Sequence, residues 1–189
     1  GGTLDATVKI VNAIERSSVP VIGYVTPVGA TAWSAGTFIL MSTHIAAMAP
    51  LTVIGSAQPV TIGPAGGAVP VTDSKTLNAL TEFITIRAEA HERNATAARA
   101  FITENLNLKA DEAKAFGVVE YVANDTRELL TLINGLTVEA GGQPYRLTTA
   151  NAELIVISPS LRVLILRTLA DPVLASLLLF IGLYWLIFG

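Results

Sequence analysis

Val19-Pro20-Val21-Ile22-Gly23-Tyr24-Val25, running on into Thr26-Pro27-Val28-Gly29-Ala30-Thr31-Ala32-Trp33-Ser34-Ala35-Gly36, is the stretch whose reading decides the fold. Its first seven residues form an apolar, largely β-branched run of strand length, the pattern of a strand covered on both faces in a parallel sheet. A Gly- and Ala-rich turn follows, and Thr37-Phe38-Ile39-Leu40-Met41-Ser42 then suits a buried helix. Strand, turn and helix in this order put Ser34 at a helix N-terminus, where unpaired N–H groups and the positive end of the dipole favour negative charge. Ala30, Ala32, Ala35 and Gly36 are small enough to let another backbone approach, as a cleft for an extended peptide needs. Locally, Ser34 fits two roles, an N-cap and a nucleophile.

Upstream, Leu4, Val8, Val11 and Ile14 recur at helical spacing, with Asp5, Lys9, Asn12, Glu15 and Arg16 on the other faces and Gly1-Gly2 before the first turn. An amphipathic helix followed by an apolar strand, then repeated, indicates an α/β fold. Downstream, Ala46-Ala47-Met48-Ala49-Pro50 is a short strand, and residues 61–70, with three glycines and two prolines, are expected to form a surface loop. A long helix begins at Asp73 with the stripe Leu77, Leu80, Phe83 and Ile84. Lys75 lies in its first turn, where a cation opposes the dipole, and this unfavourable placement invites a functional reading. A helix over Ala95 to Glu104 follows. Asp111 and Glu112 then open another helix that Gly117 closes, and Val118 to Val122 is the next strand. Thr126 to Asn134 is helical, and residues 135–157 read as β-rich with a turn at Gly141-Gly142.

The end of the chain differs in kind. Asp171-Pro172 is an N-cap and N1 pair, and Val173 to Gly189 contains no charged residue. At helical rise this segment is about 25 Å long, slightly under a bilayer core, and is expected to be a transmembrane helix. Leu161, Leu164, Ile165 and Leu169, with Arg162 and Arg167 among them, are expected to lie along the membrane surface. The expected organisation is a domain over 1–157, an amphipathic connector over 158–172 and a first membrane helix over 173–189. Gly1-Gly2 at one end and an apolar run at the other suggest a fragment.

Composition removes several classes of function. The 189 residues are 51% hydrophobic and 14% charged, well below the roughly one-quarter charged of ordinary soluble domains. A net charge of −3 without a basic cluster leaves no footprint for nucleic acid. Without cysteine, and with only His44 and His91, no metal centre or cofactor site is expected. A base for Ser34 is harder to find. His44 is placed about 15 Å further along the Ser34 helix, out of reach, and His91, among Glu89, Glu92 and Arg93, is expected to be solvated. A lysine serves as base when burial lowers its pKa. Lys9 is on a polar helix face, which leaves Lys75 the better candidate.

Taken together, Gly1-Gly2 before a helix, the Pro27 to Gly36 turn ending in Ser-Ala-Gly, Ala46-Met48-Ala49-Pro50 with Ile54-Gly55, and the Leu108 to Val122 element resemble the Clp/crotonase superfamily. Within it the chain is most similar to the NfeD-type membrane-bound serine proteases, related to signal peptide peptidase A. The resemblance covers nearly all of residues 1–157 in order. It implies a ββα-spiral protease domain, a Ser34–Lys75 dyad, and an oxyanion hole from the Gly2 and Ala35 amides. Clp proteases use a histidine downstream of the serine; that neighbourhood here reads Gln58-Pro59-Val60, a departure that favours the lysine. The family's first strands are expected ahead of Gly1. A substrate-binding lining of Val28, Ala32 and Trp33 suggests an apolar peptide, and the resemblance points to cleavage of the hydrophobic C-terminal region of a stomatin-like membrane protein. It also implies an extracytoplasmic protease domain and a homodimer or larger assembly. Two competitors are a catalytically degenerate membrane scaffold for a stomatin-like protein and a crotonase-type acyl-CoA enzyme.

Overall fold

The first two passes of the chain each deliver one strand to each of two small sheets and then a helix, and the third supplies one strand to each sheet with a helix between them. The computed structural model describes residues 2–63 and 67–188. The N-terminal helix α1 (Leu4–Glu15) leads into β1 (Ile22–Val25), β2 (Thr31–Trp33) and α2 (Ala35–Met41). The next pass gives β3 (Ile45–Met48) and β4 (Val53–Gly55), the hairpin β5 (Val60–Ile62) and β6 (Ala68–Pro70), and the helices α3 (Ser74–Ala90) and α4 (Ala95–Thr103). Then come β7 (Asn107–Lys109), α5 (Ala110–Ala115), β8 (Tyr121–Val122) and α6 (Thr126–Leu132). The antiparallel pair β9 (Thr137–Ala140) and β10 (Gln143–Arg146) follows, joined at Gly141-Gly142. Strands β1, β3 and β8 make one parallel sheet, and β2, β4 and β7 make the other, in which β7 alone is antiparallel. Strands and helices are thus interleaved along the chain, the α/β architecture expected from the sequence.

Local chemistry sets the helix ends. Thr3, Asp73, Asn94 and Asp125 each accept a backbone N–H three residues on, and Gly117 takes φ +68° just after α5. Packing does the rest. Phe38 and Met41 of α2, Met48 of β3, Ile54 of β4, Ile84 of α3, and Phe101 and Ile102 of α4 form the main buried cluster. Ile45, Ala47, Leu129, Ile133 and Leu147 form a smaller one beneath α6 and the hairpin.

Several expectations need correction. The strand covered on both faces is β3, buried at every residue; β1 is half-buried because it lies at the edge of its sheet. The described part of residues 61–70 is not a plain loop, since Val60, Thr61 and Ile62 pair antiparallel with Pro70, Val69 and Ala68. The expected residues Pro64-Ala65-Gly66 of that loop, Gly1 of the Gly-Gly turn and Gly189 at the end of the apolar run lie outside the described residues. His44 is not on α2, which ends at Met41. Strand pairing over Val118 to Val122 is confined to Tyr121 and Val122.

The chain divides into two units, Gly1–Ala152 and Glu153–Gly189. The second contains α7 (Leu161–Leu169) and α8 (Pro172–Phe188), the latter capped by Asp171 through the Val173 and Leu174 amides. Among the described residues no single helix is long and apolar enough to cross a membrane. The 17 residues of α8 fall short of the roughly 20 that a bilayer core requires, and only α7 and α8 together, bent by 67°, reach the needed length and composition.

Candidate active site

Ser34 occupies the N-cap position of α2, yet its hydroxyl makes no capping bond. Its backbone explains why. A capping serine needs extended φ/ψ, whereas Ser34 has φ 55° and ψ −118°, a left-handed conformation that costs a non-glycine residue on the order of 1–3 kcal/mol. Neighbouring strands hold it there. The Ser34 amide is shared between the carbonyls of Gly55 at 3.3 Å and Ser56 at 3.1 Å, and the Ser34 carbonyl accepts the Thr37 amide at 3.1 Å. Buried Thr37 reinforces the turn, with Oγ1 2.8 Å from the Ala32 carbonyl and 2.7 Å from that of Gly55. Gly55 itself has φ +141°, and a Cβ there would lie 2.0 Å from the Leu106 carbonyl. Only glycine lets β4 and β7 approach so closely beside the serine.

Ser34 opens onto a cavity of about 330 Å³ whose lining also includes Gly2 and Ala35. These two residues, 33 apart in sequence, meet closely: a Cβ on Gly2 would sit 3.3 Å from the Cβ of Ala35. Neither amide donates a backbone hydrogen bond among the described residues. Leu4 and Thr7 from the first turns of α1, Phe38 from α2, and Thr76 and Leu80 from the first turns of α3 complete much of the wall. No carboxylate lines it.

The other expected site residues are placed differently. Lys75 is the second residue of α3 and is exposed; its neighbour Thr76, not Lys75, lines the cavity. Val28 and Trp33 are exposed, Ala32 is buried, and none of the three lines the Ser34 cavity. Alternation along β2 accounts for this: Ala32 turns inward while Thr31 and Trp33 face out. Apolar lining comes instead from Leu4, Phe38, Val71 and Leu80. Lys9 pairs with Asp5 at 2.7 Å on an exposed face, as its position on α1 suggested.

His44 and His91 are not involved. They meet edge to face, ring centroids 6.0 Å apart, in a different depression bordered by Glu15, Glu92 and Glu139. Contrary to the solvated placement expected for it, His91 is half-buried, and burial, with Arg93 and His44 adding to it, pushes its pKa down to about 4. His44, whose Nδ1 accepts the Val21 amide at 3.0 Å, is also lowered by burial. Arg93 anchors this end of α2: its guanidinium donates to the carbonyls of Leu40, Met41 and Thr43 and pairs with Glu120 at 2.7 Å. Among the described residues no group of three or more His, Asp or Glu side chains is arranged to hold a metal ion. As parts of the site, sequence reasoning missed Thr7, Thr37, Phe38 and Gly55; of these only Gly55 had a signal, in the Ile54-Gly55 motif.

Known proteins place this arrangement. The chain is 39% identical over 191 residues to the membrane-bound protease PH1510 of Pyrococcus horikoshii, a match that covers all of this chain and 43% of that protein. The chain thus spans under half the length of that relative. Among solved structures, the 1510-N membrane-bound stomatin-specific protease, as a lysine-to-alanine mutant in complex with a substrate peptide, matches with a TM-score of 0.84 at 37% identity over 90% of this chain and 79% of that one. A serine-to-alanine mutant of 1510-N gives a TM-score of 0.79 at 39% identity over 85% and 78%. Residues 1–139 match the family described as NfeD1b, N-terminal domain. On a match over most of its residues and a fold shared with 1510-N, the chain belongs to the NfeD1b N-terminal domain family.

Proposed function

We propose that this chain carries the protease domain of a membrane-associated serine endopeptidase, with Ser34 as nucleophile, Lys75 as base, and the Gly2 and Ala35 amides as the oxyanion hole. One observation carries the reading. An uncapped serine is held in a strained backbone conformation on the wall of a cavity, beside two amides free of backbone hydrogen bonds. Such strain persists only where surrounding structure enforces it, and functional sites are where it clusters. The relatives support the chemistry, since 1510-N is a stomatin-specific protease of which both serine-to-alanine and lysine-to-alanine mutants are known.

In this mechanism the lysine amine takes the Ser34 proton as Oγ attacks the peptide carbonyl, and the Gly2 and Ala35 amides stabilise the tetrahedral oxyanion. Collapse releases the amine product, and a water activated by the same lysine hydrolyses the acyl-enzyme. Loss of one oxyanion donor costs about 100- to 1,000-fold in kcat. Lys75 stands outside the lining, so the reading has its amine reach Oγ in the substrate complex, where catalytic hydrogen bonds tighten. An apolar segment bound against Leu4, Phe38 and Leu80 also excludes water from the serine. A hydrophobic stretch of a stomatin-like membrane protein has this character. The second unit fits attachment to the bilayer: α7 lies along the surface with Arg162 and Arg167 at the headgroups, and the charge-free α8 enters the apolar layer.

Cleavage of an apolar peptide from a stomatin-like protein, measured with wild type, Ser34→Ala and Lys75→Ala, tests the dyad. Loss of turnover in both variants is expected; undiminished turnover in either refutes it. The exposure of Lys75 favours a second reading, a degenerate scaffold. That reading prevails if a serine-directed fluorophosphonate labels nothing while the chain still captures a stomatin-like protein. The absence of carboxylates from the lining argues against crotonase-type acyl-CoA chemistry.

A further inference from the structure

Two helices present their first turns to the Ser34 cavity. From α1 come Leu4 and Thr7, with Gly2 just ahead of them; from α3 come Thr76 and Leu80, with Lys75 just before Thr76. Both helices flank α2, which carries Ser34 at its start. At their far ends they are joined by one contact, between Glu15, the last residue of α1, and Arg87, in the last turn of α3. The two arms are matched. Leu4 to Glu15 is 11 helical steps and Lys75 to Arg87 is 12, so each spans about 17–18 Å at helical rise.

The contact is built to hold. Arg87 Nε lies 2.9 Å from Glu15 Oε1 as an ion pair without hydrogen-bond geometry, Nη2 donates to Oε2 at 3.4 Å, and Nη1 donates to the Phe83 carbonyl at 2.7 Å. The guanidinium sits 3.5 Å over the Phe83 ring, and its side chain is only 14% exposed. Phe83 in turn packs against Phe38, a wall residue of the Ser34 cavity, with centroids 6.0 Å apart. A planar guanidinium stacked on a ring and bonded to a backbone carbonyl resists rotation far better than a lone ammonium. From Glu15 to the cavity there is therefore a continuous rigid path through Arg87, Phe83 and Phe38.

We propose that the Glu15–Arg87 pair is a positioning strut for the dyad, fixing the Gly2-bearing helix against the Lys75-bearing helix so that oxyanion donor and base hold their spacing across Ser34. This rests on the proteolytic reading above. Arg87 acts from the far ends of α1 and α3 and touches no substrate. Its removal lets the two helix starts shift relative to each other, and a displacement of about 1 Å at a catalytic centre costs up to about 100-fold in rate. Phe38 of α2 keeps its place in the apolar wall, so binding is expected to change less than the chemical step.

The test measures kcat and KM on the apolar stomatin-type peptide, with thermal midpoints, for the 189-residue chain and its variants Arg87→Gln, Glu15→Gln, the double variant and Arg87→Lys. Each single substitution is expected to lower kcat about tenfold with KM within about twofold. The double variant is expected to be no slower than the slower single one, because partners acting as a unit are not additive. Arg87→Lys, which keeps the charge but not the planar group stacked on Phe83, recovers part of the loss. Full kcat in both single variants, or losses that multiply in the double variant, overturns the strut while the proteolytic reading stands. Should Arg87→Gln melt much lower than wild type, the more exposed Glu15→Gln decides the matter. A wild type that neither cleaves peptide nor reacts with the fluorophosphonate refutes the proteolytic reading, and the strut with it.

Discussion

Replacing Gly55 by alanine puts a single methyl group where the structure has no room for one. The new Cβ would lie 2.0 Å from the Leu106 carbonyl oxygen and 2.9 Å from the Asn107 Cα, both backbone atoms of the neighbouring chain segment. Neither can swing aside as a side chain would, so β4 must move away from β7 by an ångström or more. Two costs add: about 1–3 kcal/mol for placing a non-glycine residue at φ +141° and about 1–3 kcal/mol for the forced displacement. A total of about 4 kcal/mol lowers the thermal midpoint by about 10 °C in a domain of this size. The displacement also reaches the candidate site, since the Gly55 carbonyl receives the Ser34 amide and the Thr37 hydroxyl. Gly135→Ala is the control. Its φ is +83° with nothing within 4 Å of the new Cβ, so it carries the backbone cost of about 1 kcal/mol without the clash. Thermal unfolding of the three proteins, with the rate of fluorophosphonate labelling, is the assay. Gly55→Ala melting within about 2 °C of wild type, or no lower than Gly135→Ala, would show that Gly55 does not brace the serine turn.

Two further outcomes are expected. His91 titrates near 4 in the folded chain and near 6.5 unfolded, so the unfolded state binds more protons between these values. Stability is therefore full above about pH 6.5, falls by about 1–2 kcal/mol as pH drops to about 4, once solvent screening of this half-buried ring is allowed for, and levels off below; urea midpoints across this window check it, and His91→Phe should flatten the slope. Glu120→Gln removes the charge facing Arg93, whose side chain is 1% exposed, and should destabilise the chain by about 3 kcal/mol, the low end for a buried pair because Glu120 is one-third exposed. A urea midpoint equal to that of wild type would mean that the carbonyls of Leu40, Met41 and Thr43 suffice to hold the guanidinium.

The relation between Ser34 and its surroundings shows where reading residues in order stops. Its position between strand and helix was legible, and so was the resemblance to serine proteases. That it does not cap α2 was not, because a cap depends on φ/ψ, and the carbonyls of Gly55 and Ser56, more than twenty residues downstream, set those angles. The lining of the cavity was likewise misplaced. Val28 and Trp33 are next to the serine in sequence, but the strand pleat and the turn carry them away, while Leu4, Thr76 and Leu80 arrive from other helices.

By itself the sequence determined whatever rests on contacts within a few residues. Asp73, Asn94 and Asp125 start their helices through bonds to the third amide on; Gly117 ends one; Gly141-Gly142 makes the hairpin; the charge-free run becomes α8. These are local energies, and the residues that pay them are neighbours. Tertiary structure alone decided the approach of Gly2 to Ala35, the strain at Ser34, the pairing of Glu15 with Arg87, and the burial that keeps His91 neutral. Each depends on which strands and helices lie side by side and in what register, a property of the packed core as a whole that no short window of sequence contains.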